Sequence, residues 1–259
     1  DDVKDVFRRN LMTLWNVYKF WEMYAVDFKI DKQFVSQNVL DVWIVSQLNR
    51  LVNKITSELE SYHIYEAARE LPLFVDLLST WYLRRSRDRF KGDDQKDKLA
   101  AIQTTGNVFL TLAKLMAPFM PFMAETLWQK VSGHDFKDLD ASVHLESWPQ
   151  TGDIDLVVLE KMDLVFKIVE LGLAERDKAG IKVRQALNSA TAQAKAWPEF
   201  SADYLFLIKD ELNVKEFQMT IGEVENIAVT LDTEITPELK LEGLKRELVR
   251  SINMQRKSR

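Results

Sequence analysis

Apolar side chains return every three or four positions through most of residues 3–115, and that period commits this part of the chain to helices. Val3, Val6, Phe7, Leu11, Leu14, Trp15, Val17 and Tyr18 form a wide stripe within residues 3–28. Leu48, Leu51, Val52, Ile55 and Leu59 form a second, with Asn49, Arg50, Asn53 and Ser57 on the other side. A helix with one such face must bury it against another element. Residues 31–39 read as a polar connector and Asp41 as the cap of the second helix. Residues 63–89 read as one long helix or two joined ones, kinked or restarted at Pro72, and residues 97–115 as a fourth.

The period breaks at Ala117-Pro118-Phe119-Met120-Pro121-Phe122. Two prolines three apart force an irregular junction, where Phe119, Phe122 and Trp128 are expected to bury. Residues 132–153 are the longest polar connection, and the shift in composition there predicts a domain boundary near residue 150. Beyond it the order is helix (155–178), strand (181–187, leading on to Ala190 and Ala192), helix (198–211), two strands (214–221 and 227–231) and helix (237–256). The expected fold is therefore mainly α: a helical bundle over residues 1–150, then a small α+β domain over residues 151–259.

Composition narrows the functional classes. A chain with 46% hydrophobic and 29% charged residues has a real core and a soluble surface. The absence of cysteine excludes disulfides and thiolate metal sites, and His63, His134 and His144 are too isolated to form a zinc site. The most apolar run, 108–128, contains Lys114, Pro118, Pro121 and Glu125, which argues against a membrane span. The chain opens Asp-Asp-Val-Lys without methionine and reads as part of a longer polypeptide. Its net charge of −5 argues against general coating of nucleic acid but leaves room for a local site.

Such a site is suggested by LLSTWYLRRSRDRFK over residues 77–91. From Arg84 to Lys91 five bases face one acid, a local charge of +4. If the helix is regular, Leu77, Trp81, Arg84 and Asp88 share one face, so that Arg84 turns inward to Asp88 or to another carboxylate. Arg85 and Arg89, four apart on a separate face, then suit phosphate, with Arg87 between the two cases. The last helix carries Lys240, Lys245, Arg246, Arg250, Arg256, Lys257 and Arg259 against Glu238, Glu242 and Glu247. That pattern fits a solvated helix, or a contact to RNA or to another domain.

The run LSTWYLRRSRDRF resembles the WYIRRSRDRF signature in the helical anticodon-binding domain of the isoleucyl-tRNA synthetase family. FRRNLMTLWNVYKFWEMYA, LDVWIVSQLNRLVNKITSELESY, KLMAPFMPFMAETLW and SVHLESWP are similar to further elements of that domain. KAGIKVRQAL, IKDELNVKEF and TPELKLEGLKRELVRSI resemble the family's C-terminal junction domain, with Ala186 standing where proline is common.

The resemblance implies a bundle that grips the anticodon arm of tRNA(Ile), as a cytoplasmic monomer. It implies catalytic and editing domains upstream in the same polypeptide, with ATP and magnesium used by the full-length enzyme. The family's His-x-Gly-His and Lys-Met-Ser-Lys-Ser motifs do not occur in this chain, nor does a phosphate-binding glycine loop. No catalytic residue, cofactor or metal is therefore expected here, and no aminoacylation by this chain alone.

Anticodon loops are read as single strands. The best-matched residues for that task are Asn49, Arg50, Asn53 and Lys54 on the second helix, since an asparagine amide both donates to and accepts from a base edge. Arg85, Arg87 and Arg89 are the candidates for phosphate. The competing reading of these positions is a solvated polar face. The competing function is a helical protein-interaction scaffold without RNA.

Overall fold

The computed structural model describes residues 11–26, 28–134, 136–138 and 140–257. Val3, Val6 and Phe7 of the opening stripe, and Arg259, lie outside them. The chain divides after Val158 into two compact units.

The first unit is a helical bundle of α1 (Thr13–Glu22), α2 (Val39–Glu60), α3 (Ile64–Leu77), α4 (Arg84–Lys91), α5 (Gln95–Met116) and α6 (Pro121–Ser132). Its centre is α5, from which Ile102, Phe109, Leu112 and Leu115 are fully buried. Tyr18 and Trp21 of α1 pack edge-on against Phe109, and the Trp21 indole N–H donates to the Ile102 carbonyl at 2.9 Å. The cap of α2 is Asn38, extended in its backbone, whose side-chain oxygen accepts from the Leu40 N–H at 3.0 Å. Asp41, expected in that role, lies inside the first turn and is buried. Asp94 caps α5 by accepting from Lys96 N–H and Asp97 N–H at 3.0 and 3.1 Å.

The helix from Ile64 to Lys91 does not restart at Pro72, which lies inside α3. It changes instead at Leu78–Leu83, a π-helical turn that joins α3 to α4. The double-proline junction is as irregular as expected, with Pro121 as the first residue of α6. Trp128 is buried there, but Phe122 is 89% exposed. The buried face of α6 is Ala124, Leu127, Trp128 and Val131, and Phe122, two positions before Ala124, faces away from it.

The second unit contains α7 (Leu156–Lys178, entered from the end of the first unit), β1 (Leu187–Ala194), α8 (Ala202–Leu212), β2 (Val214–Ile221), β3 (Ala228–Leu231) and α9 (Pro237–Lys257). The strand order is β2-β1-β3, with β1 parallel to β2 and antiparallel to β3. A β-carbon on Gly172 would come within 2.5 Å of the Leu212 side chain, so glycine sets how closely α7 meets the end of α8.

The strand expected at 181–187 begins only at Leu187. The preceding residues turn around Arg176, which is 1% exposed. Its guanidinium donates to the carbonyls of Leu212, Asn213, Lys182 and Gln185. Those bonds hold 182–185 off the sheet. α9 buries Leu239 but leaves Leu241, Leu244, Leu248 and Ile252 exposed.

Candidate nucleic-acid interface

The basic stretch splits by orientation. Arg89 turns into the bundle. Its Nη1 and Nη2 donate to the two carboxylate oxygens of Asp41, each at 2.7 Å, and its Nε donates to Asp97 at 2.9 Å. Asp41, 1% exposed, also accepts from the Tyr82 hydroxyl at 2.8 Å and from Ser36 Oγ at 2.7 Å. Burial alone would lower the Arg89 pKa, but the bonds to Asp41 and its charge outweigh it and push the value upward. Burial and the Asp41 charge raise Tyr82 far above the ordinary phenol range. With its fork committed to two carboxylates, Arg89 is not placed to meet phosphate.

Arg84 shows the opposite reversal. Expected inside, it is exposed, with Nε donating to the Thr80 carbonyl at 2.7 Å and its guanidinium 5.6 Å from the Trp81 ring centre. The buried stripe of α3 runs through Leu71 and Val75 to Leu78, not Leu77, which already turns Arg84 outward, and the longer repeat of the π turn carries the stripe on through Tyr82, Ser86 and Phe90. Arg87 is exposed and lies 5.8 Å from the Phe20 ring centre, and Arg85 is half-buried.

The polar face of α2 is divided as well. One stripe holds the extended segment that follows α6. Thr56 Oγ1 accepts from the Trp148 indole at 2.8 Å, Asn53 Oδ1 accepts from the Thr151 hydroxyl, and Ser46 Oγ accepts from the Asp155 N–H at 3.1 Å. Asn49 uses both ends of its amide, donating to the Asp153 carbonyl at 2.7 Å and accepting from Gly152 N–H at 3.3 Å. Higher up the segment, Glu125 of α6 accepts from Ser142 Oγ at 2.8 Å and Val143 N–H at 3.0 Å. Residues 46, 49, 53 and 56 are thus a docking line for backbone and side-chain groups of the chain's own 148–155 segment. The donors and acceptors on 148–155, far off in sequence, were the part invisible to helical periodicity.

The neighbouring stripe of α2 carries Arg50 and Lys54, both exposed. They border a groove of about 390 Å³ between α2 and α3, lined also by Gln47, Asn53, Glu70 and Leu73. Lys54 pairs with Glu58 at 2.5 Å across one turn, a contact half in solvent and easily exchanged for another anion. Of the seven residues named from sequence, Arg50, Asn53 and Lys54 meet at this groove. Asn49 and Arg89 are committed to the protein's own groups, as is the Asn53 side-chain oxygen, and Arg85 and Arg87 belong to the α4 surface.

The glycines are spread over helices and turns. They make no run of backbone N–H groups fit to cradle a triphosphate. No cluster of three histidine or acidic residues fit for a metal ion occurs among the described residues. Among the described residues no helix is long and apolar enough to cross a membrane.

Residues 41–191 match the family model of the anticodon-binding domain of tRNA ligase. The chain is 42% identical over 253 residues to an isoleucine–tRNA ligase of Clostridium novyi, covering 94% of this chain and 23% of that protein. The corresponding enzyme of Clostridium acetobutylicum is 41% identical, with 94% and 24% covered. That of Dehalococcoides mccartyi is 37% identical, with 99% and 27% covered. The chain thus spans about a quarter of the length of these relatives.

Proposed function

Given that this chain belongs to the anticodon-binding domain family of tRNA ligases, we propose that it binds the anticodon stem-loop of isoleucine tRNA. The grip positions the tRNA acceptor end for ATP-dependent aminoacylation by a catalytic domain upstream in the same polypeptide. The observation that carries this reading is the α2–α3 groove, where Arg50, Asn53 and Lys54 stand together and exposed. The identity of the relatives supports isoleucine as the amino acid.

Arg50 and Lys54 supply donors to loop phosphates, and the Gln47 amide and the Asn53 amide N–H groups, the Asn53 oxygen being held by Thr151, face base edges. Arg85 and Arg87 give α4 a second cationic surface for the stem. Arg89 and Asn49 act from inside, fixing α4 and the 148–155 segment. The ATP, magnesium, isoleucine and editing chemistry belong to upstream domains, and the complete protein acts as a cytoplasmic monomer.

A competition gel shift tests this. The chain should bind an isoleucine tRNA transcript and be displaced poorly by the same transcript with an exchanged anticodon. Equal displacement removes the anticodon from the reading. No binding by the folded chain favours the scaffold alternative.

A further inference from the structure

The corner joining α2 to α3 carries a chemistry that folding does not require. α2 ends with paired bonds from Tyr62 N–H to the Leu59 carbonyl at 3.0 Å and from His63 N–H to the Glu58 carbonyl at 2.8 Å. That pairing is a Schellman turn, whose left-handed residue is usually glycine because a side chain there crowds the backbone. Here the residue is Tyr62, with φ of 62°. Its ring gains nothing by packing, since Tyr62 is 88% exposed. In the first turn of α3, Tyr65 is 67% exposed, and the Arg69 guanidinium lies 5.4 Å from its ring centre. The adjoining His63 imidazole is held at 2.9 Å from Glu58, the carboxylate that also pairs with Lys54.

A bulky side chain kept in a strained conformation, without burial in return, points to a ligand rather than to the fold. The chemistry of the corner selects the ligand. Two exposed phenol rings and a guanidinium plane are surfaces on which unpaired bases stack. The same two helices form the groove with Arg50 and Lys54, which supplies the phosphate contacts that a purely apolar patch would lack.

We propose that Tyr62 and Tyr65, backed by Arg69, form a stacking platform for unpaired bases of a single-stranded RNA loop. This rests on the RNA-binding role proposed above and adds the groups that touch base faces.

The test is fluorescence anisotropy with the 259-residue chain and two labelled hairpins. One has the anticodon stem and loop of isoleucine tRNA, and the other has the same stem closed by abasic riboses. Tyr62→Gly and Tyr65→Ala should each weaken binding of the intact loop roughly tenfold. Affinity for the abasic loop and the salt dependence should not change. Tyr62→Gly should at the same time raise the melting temperature, because glycine accepts the left-handed position. Higher stability with lower affinity is a combination that a structural role does not give. If wild type binds the intact loop and both variants bind it equally well, the platform is overturned while the RNA-binding role stands. If wild type binds neither hairpin, that role itself falls.

Discussion

Asp41 accepts hydrogen bonds from three side chains that come from separate parts of the chain, Ser36, Tyr82 and Arg89. Replacing it with alanine leaves the Arg89 guanidinium buried with half its partners gone. Asp41→Ala should therefore cost about 3–5 kcal/mol, read as a lower midpoint in urea denaturation. Glu125 makes a pH-dependent contribution. Burial raises its pKa, but bonds from Gln129, Ser142 and Val143 outweigh this and hold it below the ordinary carboxylate range. Its stabilisation is then complete above an unfolded pKa of about 4.3 and fades as pH falls through the lower folded value. Glu125→Gln should flatten the acid limb of the stability–pH curve, and an unchanged limb would place the acid sensitivity elsewhere. Asp41 at the head of an apolar run has the composition of a cap but is a buried acceptor. What separates a cap from a buried acceptor is a partner, and here that partner is Arg89, 48 positions away.

The helices were legible because their signals are local: apolar period, cap residues, Pro121 at a first turn. Their phase was not. Arg84 inward and Arg89 outward follows from taking Leu77 as the buried position, where the stripe of α3 runs to Leu78, and no side-chain pattern announces the extra residue of the π turn after it. Deleting Thr80 should remove the extra residue and its delay together, converting that turn to α-helix with Arg89 and Phe90 still facing Asp41 and Phe20. The expected result is a melting temperature near wild type, while deleting Ser79 as well, which swings Arg89 and Phe90 by roughly 100°, should lower it clearly. The strand misplaced at 181–187 has a similar origin. Val183 and its neighbours have strand composition, but Arg176 recruits the carbonyls of Lys182 and Gln185 into a turn. A buried arginine with backbone partners is not distinguishable in sequence from one at a helix end.

For the molecule as a whole, an acidic chain can hold RNA only through local fields. The sequence identified the residue types for that task, and structure sorted them. The same arginines and asparagines serve two purposes, anchoring the bundle (Arg89, Asn49) and facing solvent (Arg50, Lys54, Arg87). On the proposed function, the exposed set meets phosphate. The most direct measurement is the slope of log K against log salt for isoleucine tRNA, for wild type and for Arg50→Ala/Lys54→Ala. Each lost phosphate contact should reduce the slope by about 0.7–0.9, so the double variant should bind more weakly and lose between one and two units of slope, with its helical spectrum unchanged. An unaltered slope and affinity in a folded double variant would contradict the claim.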